Sequence, residues 1–394
     1  MARPPLEVAD ILRAHGEAYR HDRGVSSRQE AVLRHIVDCR TAALGGHVDR
    51  CTHCDRVRIS YNSCRDRHCP KCQSLKKAEW LEARRQHLLP VSYWHVVFTL
   101  PDALRPLALS NKRVVFNVLF AAAAATLLTL ARDPKHLGAE IGFTAILHTW
   151  GQDLQFHPHL HCVVTGGGLD SRGQRWIATR EGFFLPVKVL GRLFRGKFLN
   201  GLREARRQGE LRGPAAALEE PSAWKRLLDR LYDLDWIVYA KPPFGGPDHV
   251  FRYLGRYTHR VAISNHRLVA LHDSRVTFEV RDYADGGKNK RLTLAAAEFI
   301  RRFLLHVLPP RFTRIRHYGL LASRNVHTRL ARAHELLSSQ PPAGPTETKT
   351  VPEAPTTWWQ RLLRLTGIDI MLCPYCGEGR LVREPRSLPA RAPT

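Results

Sequence analysis

Residues 156–164 read FHPHLHCVV, which places His157, His159 and His161 at every second position. In an extended strand alternate side chains share a face, so the three imidazoles would line one side and Pro158, Leu160 and Cys162 the other. Upstream, FTAILHTW (143–150) supplies a further histidine. If the two stretches form an antiparallel hairpin turning about residues 153 and 154, His148 falls opposite His159 and three imidazoles surround one point. Three protein ligands leave an ion with open positions, as a catalytic metal requires and a structural zinc does not.

The second chemical feature is RYLGRYTHR (252–260), where Tyr253 and Tyr257 are four residues apart. Asp248 after Pro247 is a suitable N-cap, so both phenols would lie on one face of a helix, about one turn apart. Two aromatics at that spacing would ordinarily be core residues. These alternate with Arg252, Arg256, His259 and Arg260, which suits a phosphate-facing surface. A phenol, with a pKa of about 10, attacks phosphorus only when charge is drawn off the phosphate and its proton is accepted. A divalent ion on imidazoles supplies the first requirement. The chemistry implied is attack of tyrosine on a DNA phosphodiester, with the ester product keeping the bond energy needed for rejoining. No GxxxxGK[ST] phosphate loop occurs in the chain, consistent with no nucleotide cofactor.

Cysteine spacing points to a different metal. Cys51-x2-Cys54, fourteen residues, then Cys69-x2-Cys72 has the form of a four-thiolate structural zinc site. His47, His53, Cys64 and His68 are near enough in sequence to replace a ligand or build a second site. Cys373-x2-Cys376 supplies half a tetrahedron, so a second zinc there needs partners from elsewhere in the chain or from another copy. The first residues, MARPPLEVADILRAHG, lack a basic-then-apolar signal arrangement. A cytoplasmic location follows as an expectation, with thiolates on zinc in place of disulfides.

These groups need elements to hold them. Residues 1–90 read as two amphipathic helices, the second opened by a capping box at Ser27-Arg28-Gln29-Glu30, then the cysteine block and the basic helical segment SLKKAEWLEARRQHLL. From 91 to 335 strands and helices mix without a regular βαβ rhythm, which predicts an α+β domain on an antiparallel sheet. Its strands are YWHVVFTLP, FTAILHTW, HLHCVVTGG, DWIVYA, HRLVALHD, RVTFEVRDY and RFTRIRHYGLL. Residues 338–357, rich in Pro and Thr, read as a linker to a C-terminal module at 358–394. The run VVFNVLFAAAAATLLTLA (114–131) is uncharged over about the span of a bilayer. Its alanine-rich middle with Asn117, Thr126 and Thr129 reads instead as a buried helix, so no membrane partner is expected.

The 394 residues include 61 Lys and Arg against 36 Asp and Glu, a net charge of +25, which favours a polyanion as partner. HPHLH resembles the histidine–hydrophobic–histidine (HUH) motif of rolling-circle endonucleases, and with YLGRY the chain resembles the two-tyrosine transposases of the insertion sequence ninety-one family. NSCRDRHCPKCQ is similar to that family's N-terminal zinc domain, and HTWGQDL, HCVVTGGG and RRFLLHVLPPRFTRIRHYGLL to its body. The resemblance covers about residues 25–330 plus the CPYCG tail. It implies cleavage of single-stranded DNA at the ends of a mobile element, a 5′-phosphotyrosine intermediate, a free 3′-OH and rolling-circle transposition. It further implies that His159 and His161 are the two motif ligands of Mg2+ or Mn2+, and Tyr253 and Tyr257 the nucleophiles. The motif does not fix the third ligand: His148 is chosen from hairpin geometry and His157 competes. Arg252, Arg256 and Arg260 are expected to contact DNA, and the oligomeric state is open. A replication initiator or relaxase shares the same chemistry, and a noncatalytic zinc-dependent DNA-binding protein is the contrasting reading.

Overall fold

The structure, a computed structural model, describes residues 4–213, 220–244, 261–282, 285–339 and 357–389. Helices α1 (Val8–Arg23) and α2 (Ser27–Asp38) come first. The cap of α2 lies one residue earlier than the sequence indicates: the Ser26 amide donates to Gln29 Oε1 (3.0 Å) and the Gln29 amide to Ser26 Oγ (3.3 Å). The reciprocal pair satisfies two orphan backbone donors of the first turn. Strands β1 (Gly46–Cys51) and β2 (Val57–Tyr61) and helix α3 (Ser74–Arg85) complete the N-terminal region.

The central sheet is built from β3 (Tyr93–Thr99), the long hairpin β4 (Glu140–Trp150) and β5 (Phe156–Leu169), the short β6 (Trp176–Ala178), β7 (Val238–Phe244) and β11 (Ile315–Gly319). The order is β11-β4-β5-β3-β7, every neighbouring pair is antiparallel, and β6 pairs with β5. Between β3 and β4 run α4 (Arg105–Ser110) and α5 (Lys112–Arg132), and between β6 and β7 run α6 (Val187–Arg207) and α7 (Pro221–Asp233). The α+β class expected from the element pattern is the one observed.

Alternation decides which face is which. Trp94, Val96 and Phe98 of β3, Phe143 and Leu147 of β4, and Leu160, Cys162 and Val164 of β5 pack against Phe116, Phe120 and Leu127 of α5 and Phe194 and Phe198 of α6. Helix α5 is long and apolar enough to cross a bilayer, but 61% of its most apolar window is buried, as the core helix of this layer. On the opposite face Tyr93, Ile146 and Val163 meet Trp80 and Leu81 of α3 and Ile315 of β11. The histidines at odd positions of β5 belong to this second face.

A second core crosses the boundary drawn at residue 90. Ile11 of α1, Leu33 and Ile36 of α2, and Cys39, Cys69 and Cys72 pack with Val276, Phe278, Phe299 and Phe303. The latter residues come from β9 (Arg275–Asp282), which with β8 (Leu268–His272) and β10 (Lys288–Ala295) forms a three-stranded sheet, and from α8 (Ala296–Leu305). Sequence reasoning passed over β10 because its first half, KNKR, has no apolar side chain and only Leu292 and Leu294 face the core. Helix α9 (Ala331–Ser338) ends where the linker begins, and residues 340–356 lie outside the described residues. Helix α10 (Trp358–Thr366) joins α3 through Arg364 and Glu82 (2.5 Å), and β12 (Leu381–Leu388) pairs antiparallel with β1. The C-terminal segment is therefore a strand of the N-terminal sheet, ordered β12-β1-β2.

Gly319, at the end of β11, has φ +59°, and a Cβ there would lie 1.8 Å from the Ile141 carbonyl oxygen. Gly319→Ala combines a disfavoured left-handed backbone with a backbone clash, and a loss of at least ~2 kcal/mol is expected in urea unfolding. A change under about 0.5 kcal/mol would contradict the packing of β11 on β4.

Candidate metal centres

The hairpin fixes the histidine site. His148 pairs directly with His159 across β4 and β5. The turn closes through the Gly151 amide on the Gln155 carbonyl (3.0 Å), with Leu154 buried at φ +65°. Ligand-capable nitrogens of His148, His159 and His161 all lie within 4.8 Å of one another. His157 is not in this group: it sits 3.9 Å from Asp102 near the strand's start.

Hydrogen bonds assign the protons. His159 Nδ1 lies 2.7 Å from the His157 carbonyl, which can only accept, so Nδ1 carries the hydrogen and Nε2 keeps its lone pair. His159 Nε2 and His161 Nε2 are 3.0 Å apart, about the spacing of two adjacent ligands at ~2.1 Å from one octahedral ion. Burial holds His159 down to about 4 and His161 well below the usual imidazole range, so both are neutral, the form that binds metal. The donor set therefore fits a divalent ion. Being all nitrogen, it also accommodates zinc.

Sequence reasoning missed His95. Its Nε2 lies 2.8 Å from His161 Nδ1 and the two rings stack at 5.1 Å, so His95 orients the imidazole from the side away from His159. Burial pushes His95 down to about 3. The available signal was a lone histidine in YWHVVFT, on the strand face that alternation assigns to the histidine row.

Behind the hairpin, His306 is 1% exposed and ties down the turn. Its Nε2–H donates to the Leu154 carbonyl (3.0 Å), leaving Nδ1 to accept from the Thr149 hydroxyl (3.1 Å). His148 in turn stacks on Trp150, ring centroids 4.5 Å apart. His68 Nδ1–H donates to Asp66 (2.7 Å) and its Nε2 accepts the Leu308 amide (3.2 Å), joining the cysteine block to the chain after α8. His68 is thus a structural bridge.

The cysteines group differently from their spacing. Cys51 and Cys54 do not join Cys69 and Cys72; they meet Cys373 and Cys376, while Cys69 and Cys72 meet Cys39 and Cys64. Sulfur separations of 3.7 Å for Cys51–Cys376, Cys54–Cys373 and Cys64–Cys72 match the edge of a tetrahedron with ~2.3 Å Zn–S bonds and are far too long for disulfides. The Gly379 amide on Cys376 Sγ holds that thiol down to about 6. In the other cluster Cys39 is drawn down to about 7 by its bond to Cys64, while Cys64 and Cys69 rise, because four negative sulfurs cannot share one pocket without a cation. Gly379 admits no side chain: a Cβ would lie 2.4 Å from Cys51 Sγ. His47 pairs with Arg383 (2.7 Å), and His53 lies 3.4 Å from Glu378; neither joins a cluster. Tyr253, Tyr257, Arg252, Arg256 and Arg260 lie outside the described residues.

Two four-sulfur clusters fit zinc and a histidine trio fits a further cation, so the fold defines a metalloprotein, and its charge of +25 suits it to nucleic acid. Comparison with known proteins gives the particular family. A model described as "Putative transposase" matches residues 142–328, and one described as "Transposase zinc-binding domain" matches residues 11–100. The chain is 53% identical to the putative transposase y4qJ of Sinorhizobium fredii, over 97% of this chain and 96% of that protein. It is 27% identical to the transposase for insertion sequence element IS801 of Pseudomonas savastanoi pv. phaseolicola, over 90% of this chain and 83% of that protein. No solved structure matches the chain. The chain belongs to the insertion sequence ninety-one family of transposases, DNA-binding proteins with an N-terminal zinc-binding domain.

Zinc analysis of the purified chain is expected to give two ions per chain in the cysteine clusters, besides any that the histidine trio takes up. Cys39→Ser should lose one of them, and Cys373→Ser with Cys376→Ser the other. Unchanged zinc in the tail variant would restore the grouping of Cys51, Cys54, Cys69 and Cys72.

Acid should weaken the fold through its buried histidines. His306 is held to about 3 and His317 to about 4, both by burial, against about 6.5 unfolded. A depressed base is stable above its unfolded pKa and loses that stability as pH falls, so each should cost about 2 kcal/mol by pH 5. Melting temperatures at pH 7 and pH 5 test this, and His306→Gln should flatten the dependence.

Proposed function

We propose that the chain cleaves and rejoins single-stranded DNA at the ends of a mobile element through a 5′-phosphotyrosine intermediate, driving rolling-circle transposition. The observation that carries this reading is the convergence of His148, His159 and His161 on one face of the sheet. The sequence supplies two tyrosines on the segment that follows β7.

When bound at the three imidazoles, Mg2+ or Mn2+ would draw charge from the non-bridging oxygens of the scissile phosphate. The chain's own residues do the rest. The His157 carbonyl fixes His159 and the His95 ring fixes His161, so the ligand nitrogens are oriented before DNA arrives. The Oη of Tyr253 or Tyr257 attacks phosphorus in line, the P–O3′ bond breaks, and the departing oxygen takes a proton to become the free 3′-OH. The phenolic proton is given up in the same step. Rejoining is the reverse: a 3′-OH attacks the phosphotyrosine, and no ATP is needed because the number of ester bonds never changes. The second tyrosine permits a second cleavage while the first DNA end stays attached. Arg252, Arg256 and Arg260 would neutralise phosphates beside the tyrosines.

Incubation with single-stranded oligonucleotides from the element's ends and Mn2+ should yield a covalent protein–DNA adduct on a denaturing gel. Tyr253→Phe with Tyr257→Phe should abolish it. His159→Ala should lower cleavage by a hundredfold or more, about 2.7 kcal/mol of transition-state stabilisation, with the zinc of the cysteine clusters unchanged. Failure of the wild-type chain to form an adduct, or an adduct surviving the double tyrosine variant, would leave a noncatalytic DNA-binding protein.

A further inference from the structure

A cleft of about 350 Å³ opens at the edge of the central sheet, between the first turns of α6 and the start of β7. The helix side contributes Lys188, Arg192 and Arg195, and the strand side Asp235, Trp236 and Ile237. Its volume falls within the ~300–1,000 Å³ of ordinary ligand sites. Among the described residues none of the three cations forms an ion pair, so each keeps its charge for an anionic ligand. Arg195 instead bonds the Tyr232 carbonyl (2.5 Å) and lies 4.3 Å from the Tyr232 ring centre.

The stretch from the end of α7 into β7 is unusually apolar for a surface. Ile237 is 67% exposed, Tyr232 57% and Tyr239 51%. Isolated apolar residues on a surface call for no explanation, but here they lie beside cations that have no carboxylate partner, at a sheet edge. The cleft also has a route to the histidine site. The Ile237 carbonyl accepts the Thr99 amide (3.2 Å), and Thr99 is paired in register with His159. Val238 and Ala240 pack into the helix-side core, so Tyr239 and Lys241 lie on the face that carries the histidines, with Lys241 in register with His95.

We propose that this cleft and the β7 edge form a binding track for single-stranded DNA. Its phosphates meet Lys188, Arg192 and Arg195, and its unstacked bases lie against Ile237, Tyr232 and Tyr239. Asp235 sets the orientation by repelling phosphate from the strand side. Alternating cations and exposed aromatics suit a strand whose bases are free to stack, whereas a duplex hides those faces. A protein partner fits less well, since three cations against one carboxylate line the cleft and the buried centre of a protein interface is depleted in charge. The inference rests on the single-strand reading of the function and locates where the strand runs beyond the cleavage site.

Fluorescence anisotropy of the full chain with fluorescein-labelled oligothymidylate, across a salt series, tests it. Lys188→Ala with Arg192→Ala should lower the slope of log affinity against log salt by about 1.4 and weaken binding roughly 25-fold at 0.1 M salt. Tyr239→Ala should weaken binding about five- to hundredfold with the slope unchanged. Lys225→Ala with Arg226→Ala removes equal charge from α7 and should change neither. The cleft is refuted if the Lys188 and Arg192 pair behaves like that control while its melting temperature is normal, or if duplex DNA loses as much affinity as the single strand. Adduct formation with end-derived oligonucleotides is read separately. A normal adduct with an unchanged salt slope removes the track alone, and a missing wild-type adduct with a changed slope removes the cleavage chemistry alone.

Discussion

The register of β4 against β5 is the constraint on which the site depends. Side chains along a strand repeat every two residues, so a slip of one position would turn His159 and His161 into the helix-side core and bring Leu160 and Cys162 onto the open face. The cost of such a slip is large because that core is densely apolar: Phe98, Phe116, Phe156, Leu160 and Phe312 are each at most 2% exposed. Burial of one face therefore dictates the chemistry of the other. The register that positions the site is set by residues that never touch it.

Several groups outside the sheet hold the hairpin's turn. His306 pins the turn at both Thr149 and Leu154, and Arg302 Nη1 donates to the Asp153 carbonyl (2.9 Å). Both histidine and arginine belong to α8 and its end, which pack in the same core as α1, α2 and three cysteines of one cluster. The cysteine block reaches the same region through His68 on the Leu308 amide and Arg67 on the Phe312 carbonyl (2.5 Å). The histidine site and the nearer zinc site thus share one packed region. Lys112 reinforces the junction by donating to the carbonyls of Leu305 (2.7 Å) and Val307 (2.9 Å), although burial lowers its pKa to about 8. Those carbonyls end α8, where a cation complements the helix dipole.

How much of this was legible follows from the range of each signal. The hairpin and the pairing of His148 with His159 could be read because the link is short and the apolar pattern strong on both sides. The burial of helix α5 could be read from its alanine and threonine content. The zinc partition could not be read, because spacing rewards the nearest CxxC pairs and says nothing of distant ones. Cys39 stands alone at the end of α2, and Cys373 follows Cys54 by more than three hundred residues. His95 was hidden for another reason: in an apolar strand a single histidine carries no motif, and only the β3–β5 register reveals its neighbour.

The tail's position shows why a metal belongs there. The β12-β1-β2 sheet is small, and its hydrophobic cluster consists of Cys51, Cys373 and Leu381 with Cys54 and Cys376 beside them. Val57, Ile59 and Val382 remain exposed, so little apolar area is removed from water when the tail docks. A core of that size cannot by itself offset the conformational entropy of ordering the tail. Four thiolates on one ion can, since structural zinc contributes folding free energy on the order of 10 kcal/mol. Without the ion the four sulfurs cannot all be thiolates, Cys54 being pushed up to about 12, and docking loses that contribution. With zinc bound, coordination would therefore add to the β1–β12 ladder in holding the N-terminal and C-terminal segments to each other, alongside the ion pair of α10 with α3, whose Trp80 and Leu81 cover part of the histidine face.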